Sequence, residues 1–142
     1  MSESRLVLLR QMISLARDSE EMARQCLESG KFRFASVHAY YSVFHGMKAL
    51  LEFSEVDASS HGRVIGEFNR LFVKNGTFPL STSKILDRLF AHRQTGSYSY
   101  NLEISEGEAK QDVADAVQLL RQFEAFLFQQ TQDDFFGSKQ SE

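Results

Sequence analysis

An all-α fold, an antiparallel up-and-down bundle of about five helices, follows from three observations. Apolar residues recur at three- and four-residue steps through most of the chain, and no stretch keeps the period of two that a sheet needs. A single Pro and eight Gly leave few interruptions to helical runs. The helical segments are joined by short loops, so neighbours in sequence are expected to pack as neighbours in space.

Leu6, Leu9, Ile13, Ala16, Ala23 and Leu27 make the buried stripe of a first helix, with Glu20 in the one missing place and Gly30 as the stop. The second helix, roughly Lys31 to Phe53, carries Val37, Tyr40, Phe44, Met47 and Leu51 on one face and Ala39, Val43, Gly46 and Leu50 on the adjoining one. So wide an apolar arc marks the central helix. Ser59 or Ser60 caps a third helix that runs to about Lys74 with Ile65, Phe68 and Phe72 inward and Gly76 beyond its end. Pro79 and Ser81 open a fourth, which buries Ile85, Leu86, Leu89 and Phe90 and ends near Gly96. Ser105 and Glu108 form a capping box before the fifth, whose stripe is Ala109, Val113, Ala116, Leu120, Phe123 and Leu127. Residues 1–130 therefore read as one helical domain. Residues 131–142 read as a polar tail in which Phe135 and Phe136 either dock on a neighbour or stay loose.

Composition bounds the function. A chain of 142 residues has room for one domain with a real core, and thirteen Phe help to fill it. Cys26 is alone, so neither a disulfide framework nor a cysteine metal site is expected, and no cofactor or metal is implied. The first residues lack the basic start and apolar core of a signal peptide, and no apolar run reaches the ~18 residues of a membrane span. The expectation is a cytoplasmic protein without membrane contact. A net charge of -3 argues against binding nucleic acid by bulk electrostatics. Charge is nevertheless uneven, because Arg63, Arg70, Lys74, Lys84, Arg88, His92 and Arg93 precede a run of acids from Glu103 to Asp115.

Chemistry concentrates at the end of the fourth helix, in Arg93-Gln94-Thr95-Gly96-Ser97-Tyr98-Ser99-Tyr100. Arg93 presents a permanently charged fork suited to phosphate oxygens, and Tyr98 and Tyr100 add hydroxyls and stacking faces. The plain alternative is a helix-end arginine that satisfies carbonyls and tyrosines that only pack. His61 follows two serines at a helix start, where free backbone N–H groups favour an anion. Tyr40 reads as core, whereas Tyr41 falls nearer the polar edge and can reach a groove. His38 and His45 lie two turns apart, about 10.5 Å along the axis, too far to share a metal. No phosphate-cradling glycine loop, GxSxG elbow or HExxH motif is present.

Two motifs in this order carry a resemblance. The run Ala35-Ser36-Val37-His38-Ala39-Tyr40-Tyr41-Ser42-Val43-Phe44-His45-Gly46-Met47-Lys48-Ala49-Leu50-Leu51, with Ser60-His61-Gly62 and Arg93 to Tyr98 further on, resembles the HEPN superfamily, in particular small prokaryotic single-domain members paired with minimal nucleotidyltransferases. The resemblance covers about Arg5 to Gln130. It implies a homodimer in which the arginine-bearing helix ends face each other across a groove. In active members an R-x4-H-x-Y signature cleaves RNA without metal. Here Tyr98 stands at the histidine's position, and a tyrosine, with a pKa of about 10, is a poor general base at neutral pH.

The implied function is a non-catalytic or weakly catalytic HEPN binding module of a nucleotidyltransferase-associated, toxin–antitoxin-like system. It would bind nucleotide, RNA or a partner protein in a dimer groove lined by Arg93, Tyr98, Tyr100, His61, Tyr41 and His45. By the same resemblance Tyr98 or Tyr100 is the candidate acceptor of a modification by the partner enzyme. One alternative is a metal-independent endoribonuclease that uses Arg93 with a relocated base, His61 or His45. The other is a purely structural interaction bundle.

Overall fold

The computed structural model of the chain describes residues 1–98 and 103–137, and for residues 95–98 the backbone alone. Among the described residues there are six α-helices and no strand. They are α1 (Glu3–Glu28), α2 (Phe32–Phe53), α3 (His61–Phe68), α4 (Leu80–Tyr98), α5 (Glu106–Thr131) and α6 (Asp134–Gly137), with a π-helical turn over Asn69–Val73. The all-α bundle that the periodicity predicts is the fold observed.

Local chemistry sets the boundaries. The Ser2 hydroxyl accepts from the Arg5 amide at 3.2 Å and that of Ser60 from the Arg63 amide at 3.3 Å. Ser105 and Glu108 close the expected capping box, each side chain accepting from the other's amide at 3.1 Å. Gly30, with φ of 76°, turns the chain out of α1 as only glycine does without strain.

α2 is the axis of the molecule and packs against α1, α3, α4 and α5. Ala39, Tyr40, Val43, Met47 and Leu50 on it are fully buried. Gly46 permits the close approach of α5, since a Cβ there would lie 2.7 Å from Cδ2 of Phe123. At one end of the core, Phe68 and Phe78 pack on Phe123 with ring centroids 5.3 and 5.4 Å away, and Phe72 meets Phe126 edge-on at 5.4 Å.

Glu20, the polar interruption in the α1 stripe, is buried and bonded rather than exposed. It accepts from Arg121 at 2.8 Å and lies 3.1 Å from Arg24. Glu124, also buried, accepts from Arg17 at 2.6 Å and Arg121 at 2.9 Å. Two carboxylates thus enter the α1–α5 contact only because arginines compensate them.

Two boundaries differ from the sequence expectation. The third helix does not run unbroken to Lys74, because after Phe68 the backbone widens into the π turn and the Lys74 amide bonds to the Asn69 carbonyl at 2.9 Å. The Phe78 amide then reaches the Phe72 carbonyl at 2.8 Å, which puts both rings in one aromatic layer. The fourth helix continues through Gly96 to Tyr98, since glycine weakens a helix without forbidding it. Beyond α5, the chain turns at Gln132 and α6 docks on α1 and α5. Arg10 holds Asp133, the Arg17 guanidinium covers the Phe135 ring at 4.5 Å, and Phe136 is fully buried. Docking is thus the arrangement observed for Phe135 and Phe136.

Candidate functional site

Three elements bring aromatic and cationic side chains together beside α2. That helix supplies Tyr40, Tyr41, Phe44 and His45, α3 begins with His61, and α4 contributes Phe90 and Arg93. Consecutive helical residues point about 100° apart, so Tyr40 turns into the core while Tyr41 turns to its edge.

The Tyr40 hydroxyl lies 2.6 Å from Nδ1 of His61. Burial raises the Tyr40 hydroxyl well above its ordinary range, outweighing the opposing charge of Arg93, while Tyr41 adds to the rise. Tyr40 therefore keeps its proton, and which of the two atoms donates is set by the tautomer of His61. Burial lowers His61 first and the Arg93 charge lowers it further, so the ring is neutral at pH 7. With Nδ1 accepting, its own proton sits on Nε2, and the imidazole is poised as a hydrogen-bond donor at that nitrogen. The ring is clamped against Phe44, with centroids 4.4 Å apart, and lies 6.2 Å from Phe90.

Arg93 sits over the other tyrosine. Its Nη2 and Nε donate to the Tyr41 hydroxyl at 3.0 and 3.3 Å, and the guanidinium carbon is 5.6 Å from the Tyr41 ring centroid. His45 stacks near Tyr41 with centroids 6.3 Å apart and near Phe44 at 5.6 Å. Its pKa is lowered by burial, then by Lys48 and His61. Lys48 donates to the Ala58 carbonyl at 2.9 Å. His38, on the same helix, is lowered by burial alone.

Of the residues singled out in the sequence, Arg93, Tyr41, His61 and His45 thus gather around one ring, that of Tyr41. Tyr98 ends α4, but its side chain and all of Tyr100 lie outside the described residues, and so do the binding and modification roles expected of them. Sequence reasoning missed Tyr40, which is core as expected and also carries the hydroxyl that orients His61. The signal was the Tyr40-Tyr41 pair itself, which sends one hydroxyl inward and one to the edge.

A second polar cluster lies on the α5 side of α4. Asp112 is fully buried; it accepts from Ser36 at 2.8 Å and Arg88 at 3.1 Å, and lies 2.6 Å from Nδ1 of His92. Arg88 also donates to Asp115 at 2.5 Å, and Nε2 of His92 is 3.5 Å from Glu108. Arg88 and His92, which the sequence groups with Arg93 as one basic stretch, are therefore committed to holding α4 on α2 and α5. Among the described residues no three His, Cys, Asp or Glu side chains are grouped to hold a metal ion. No helix among them is long and apolar enough to cross a membrane.

Comparison with known proteins agrees with this architecture. The chain is 35% identical to a "UPF0332 protein" of Thermotoga maritima over 95 residues, covering 62% of this chain and 72% of that protein. It is 29% identical over 102 residues to a protein of Methanocaldococcus jannaschii named "Putative toxin", covering 72% and 69% of the two chains. A second protein with that name from the same organism is 28% identical over 105 residues, covering 74% and 78%. The HEPN domain model matches residues 9–128, a span that takes in α2, α3, α4 and nearly all of α5, with the Tyr41 cluster inside it. On that match the chain belongs to the HEPN domain family.

Proposed function

We propose that this protein is a HEPN binding module, the non-catalytic or weakly catalytic member of a toxin–antitoxin-like pair. Its recognition site is the cluster of Arg93, Tyr41, His61 and His45, and its ligand is the phosphate of a nucleotide or RNA. The partner on this reading is a minimal nucleotidyltransferase, and a homodimer completes the groove with Tyr98 and Tyr100. The names of the two archaeal relatives support the toxin-like assignment.

The observation that carries the binding role is the Tyr40–His61 hydrogen bond. A ring that accepts at Nδ1 and holds its proton on Nε2 is a donor, and together with the Arg93 guanidinium it suits an anionic oxygen. The same tautomer is wrong for a general base, which needs a free lone pair at the reacting nitrogen. Binding without efficient cleavage is the consequence.

The test is anisotropy of a labelled single-stranded RNA pool in EDTA, read alongside gel analysis of the same samples. Wild type is expected to bind without cutting, and Arg93→Ala to weaken binding by about tenfold or more, the range for losing charge-assisted hydrogen bonds. Equal binding by wild type and Arg93→Ala would leave a purely structural bundle.

A second reading, a metal-independent endoribonuclease with a relocated base, is favoured by one feature of His45. Its ring is kept neutral beside Tyr41 and, among the described residues, has no hydrogen-bond partner, so a lone pair is available. Cleavage in EDTA that disappears in both Arg93→Ala and His45→Ala would establish that reading over the first.

A further inference from the structure

Where α3 passes into the π turn and α4 begins, away from His61 and Arg93, the chain forms an open groove of about 420 Å³ with a mostly apolar surface. Gly66 and Val73 line one side and Leu80 the other, Leu80 with 68% of its surface exposed. The stems of the exposed Arg70 and Lys74 extend the apolar wall and carry their charge to its rim. Gly66 lies inside the helical run from His61 to Val73, where glycine weakens a helix relative to alanine, yet a Cβ there would meet no atom within 4 Å. Its φ is not positive either, so no contact or turn among the described residues requires a glycine. Its effect is to keep the groove open to a group from outside. Charge around the groove is net positive. Between His61 and Asp87 the chain carries Arg63, Arg70, Lys74 and Lys84 against Glu67 and Asp87, although the whole chain stands at -3. Arg70 holds Glu67 at 2.6 Å, while no carboxylate of the described residues pairs with Lys74 or Lys84. Lys84 lies one turn beyond Leu80 on the same face of α4, and Asp87 almost a turn further.

We propose that this groove docks an acidic, amphipathic segment of a partner protein, with one apolar side chain seated between Val73 and Leu80 and flanking carboxylates on Lys74 and Lys84. A groove this open covers one face of its occupant, whereas a small-molecule site encloses most of its ligand. An apolar centre inside a cationic rim is the anatomy of a protein contact; a nucleic acid would be met chiefly by cations placed along its phosphates. Complementary charge brings the segment in, and the seated apolar side chain holds it. Leu80 and Arg93 stand toward opposite ends of α4, about 20 Å apart along its axis, so the groove is separate from the Arg93 cluster. The proposal stands whether or not that cluster binds phosphate.

The test is NMR of the nitrogen-15-labelled full chain, titrated to millimolar concentration with a set of capped helical peptides that each carry Leu, Ile, Met or Phe between glutamates. Amide shifts are expected at Gly66, Val73, Leu80 and their neighbours and not at Arg93. Replacing the apolar residue of the peptide by Ala, or its glutamates by lysines, should abolish them. Gly66→Leu should fill the groove and remove the shifts without lowering the thermal melt, because the space it enters is open. Lys74→Glu, at an exposed position that needs no repacking, should weaken binding by about threefold or more. No shift with any peptide of the set, shifts that persist in Gly66→Leu, or the same shifts from lysine peptides or from single-stranded RNA would each overturn the proposal.

Discussion

The hydroxyl of Tyr40 and Nδ1 of His61, twenty-one residues apart in sequence, lie 2.6 Å from each other, the tyrosine wholly buried and the histidine partly exposed. One end of the pair is anchored in the central helix. The other opens α3 and shares Tyr41 as a neighbour with Arg93, so a hydroxyl of the core holds a ring of the candidate site.

Tyr40→Phe tests that link directly. The ring is kept and only the hydroxyl is lost, so Nδ1 of His61 loses its donor at a cost of about 1–3 kcal/mol. Urea denaturation measures the cost. Nitrogen-15 NMR of the histidine ring should show the Nε2–H tautomer in wild type and a mixture in the variant; an Nδ1–H tautomer in wild type would refute the assignment.

Stability should depend on pH through the histidines. Burial lowers the pKa of His38, His45 and His61 in the folded chain, with Arg93 adding to the effect at His61. Below the unfolded value of about 6.5 the unfolded chain binds protons first, so this stabilisation is full above that pH and falls away below it. Thermal melts at constant ionic strength should be lower at pH 5.5 than at pH 7.5. The difference should shrink in His61→Gln, and a variant with an unchanged difference would exclude His61 as a contributor.

Asp112 is the centre of a buried network joining three helices. Asp112→Ala leaves Ser36, Arg88 and His92 without their common acceptor, and a loss of about 3 kcal/mol is expected, near the lower end for breaking a buried charged pair. Asp112→Asn keeps the shape and one acceptor and should cost less. Equilibrium unfolding of both variants separates the charge from the packing.

Gly46→Ala should destabilise although alanine favours helices. The added methyl would meet the buried Phe123 ring at 2.7 Å, and overpacking of this kind costs about 1–3 kcal/mol. A variant as stable as wild type would mean that α5 can move away from α2 at little cost.

Much of the fold was legible because its causes are local. The α5 capping box needs only residues three apart, and the α2 arc needs only its own periodicity; both appear as expected. The π turn after Phe68 was not legible, because what it accommodates is an aromatic layer completed by Phe78 and by α5. Docking of Phe136 depends likewise on Arg10 and Arg17, more than a hundred residues earlier in the chain.

The candidate site divides in the same way. Arg93 and His61 stand out in the sequence because their residue types and helix-end positions carry chemistry by themselves. That Arg88 and His92 are occupied by Asp112, that Tyr40 orients His61, and that Glu20 is buried with arginines are all relations between helices.

Periodicity and capping therefore determined the helical class, the order of the first five helices and the faces they bury, but neither the π turn nor α6. Only the packed bundle decided which polar groups became partners. A helix repeats every 3.6 residues whatever surrounds it, but two side chains on different helices meet only when the depth and crossing of both axes bring them within about 3 Å, and those depend on the whole core at once.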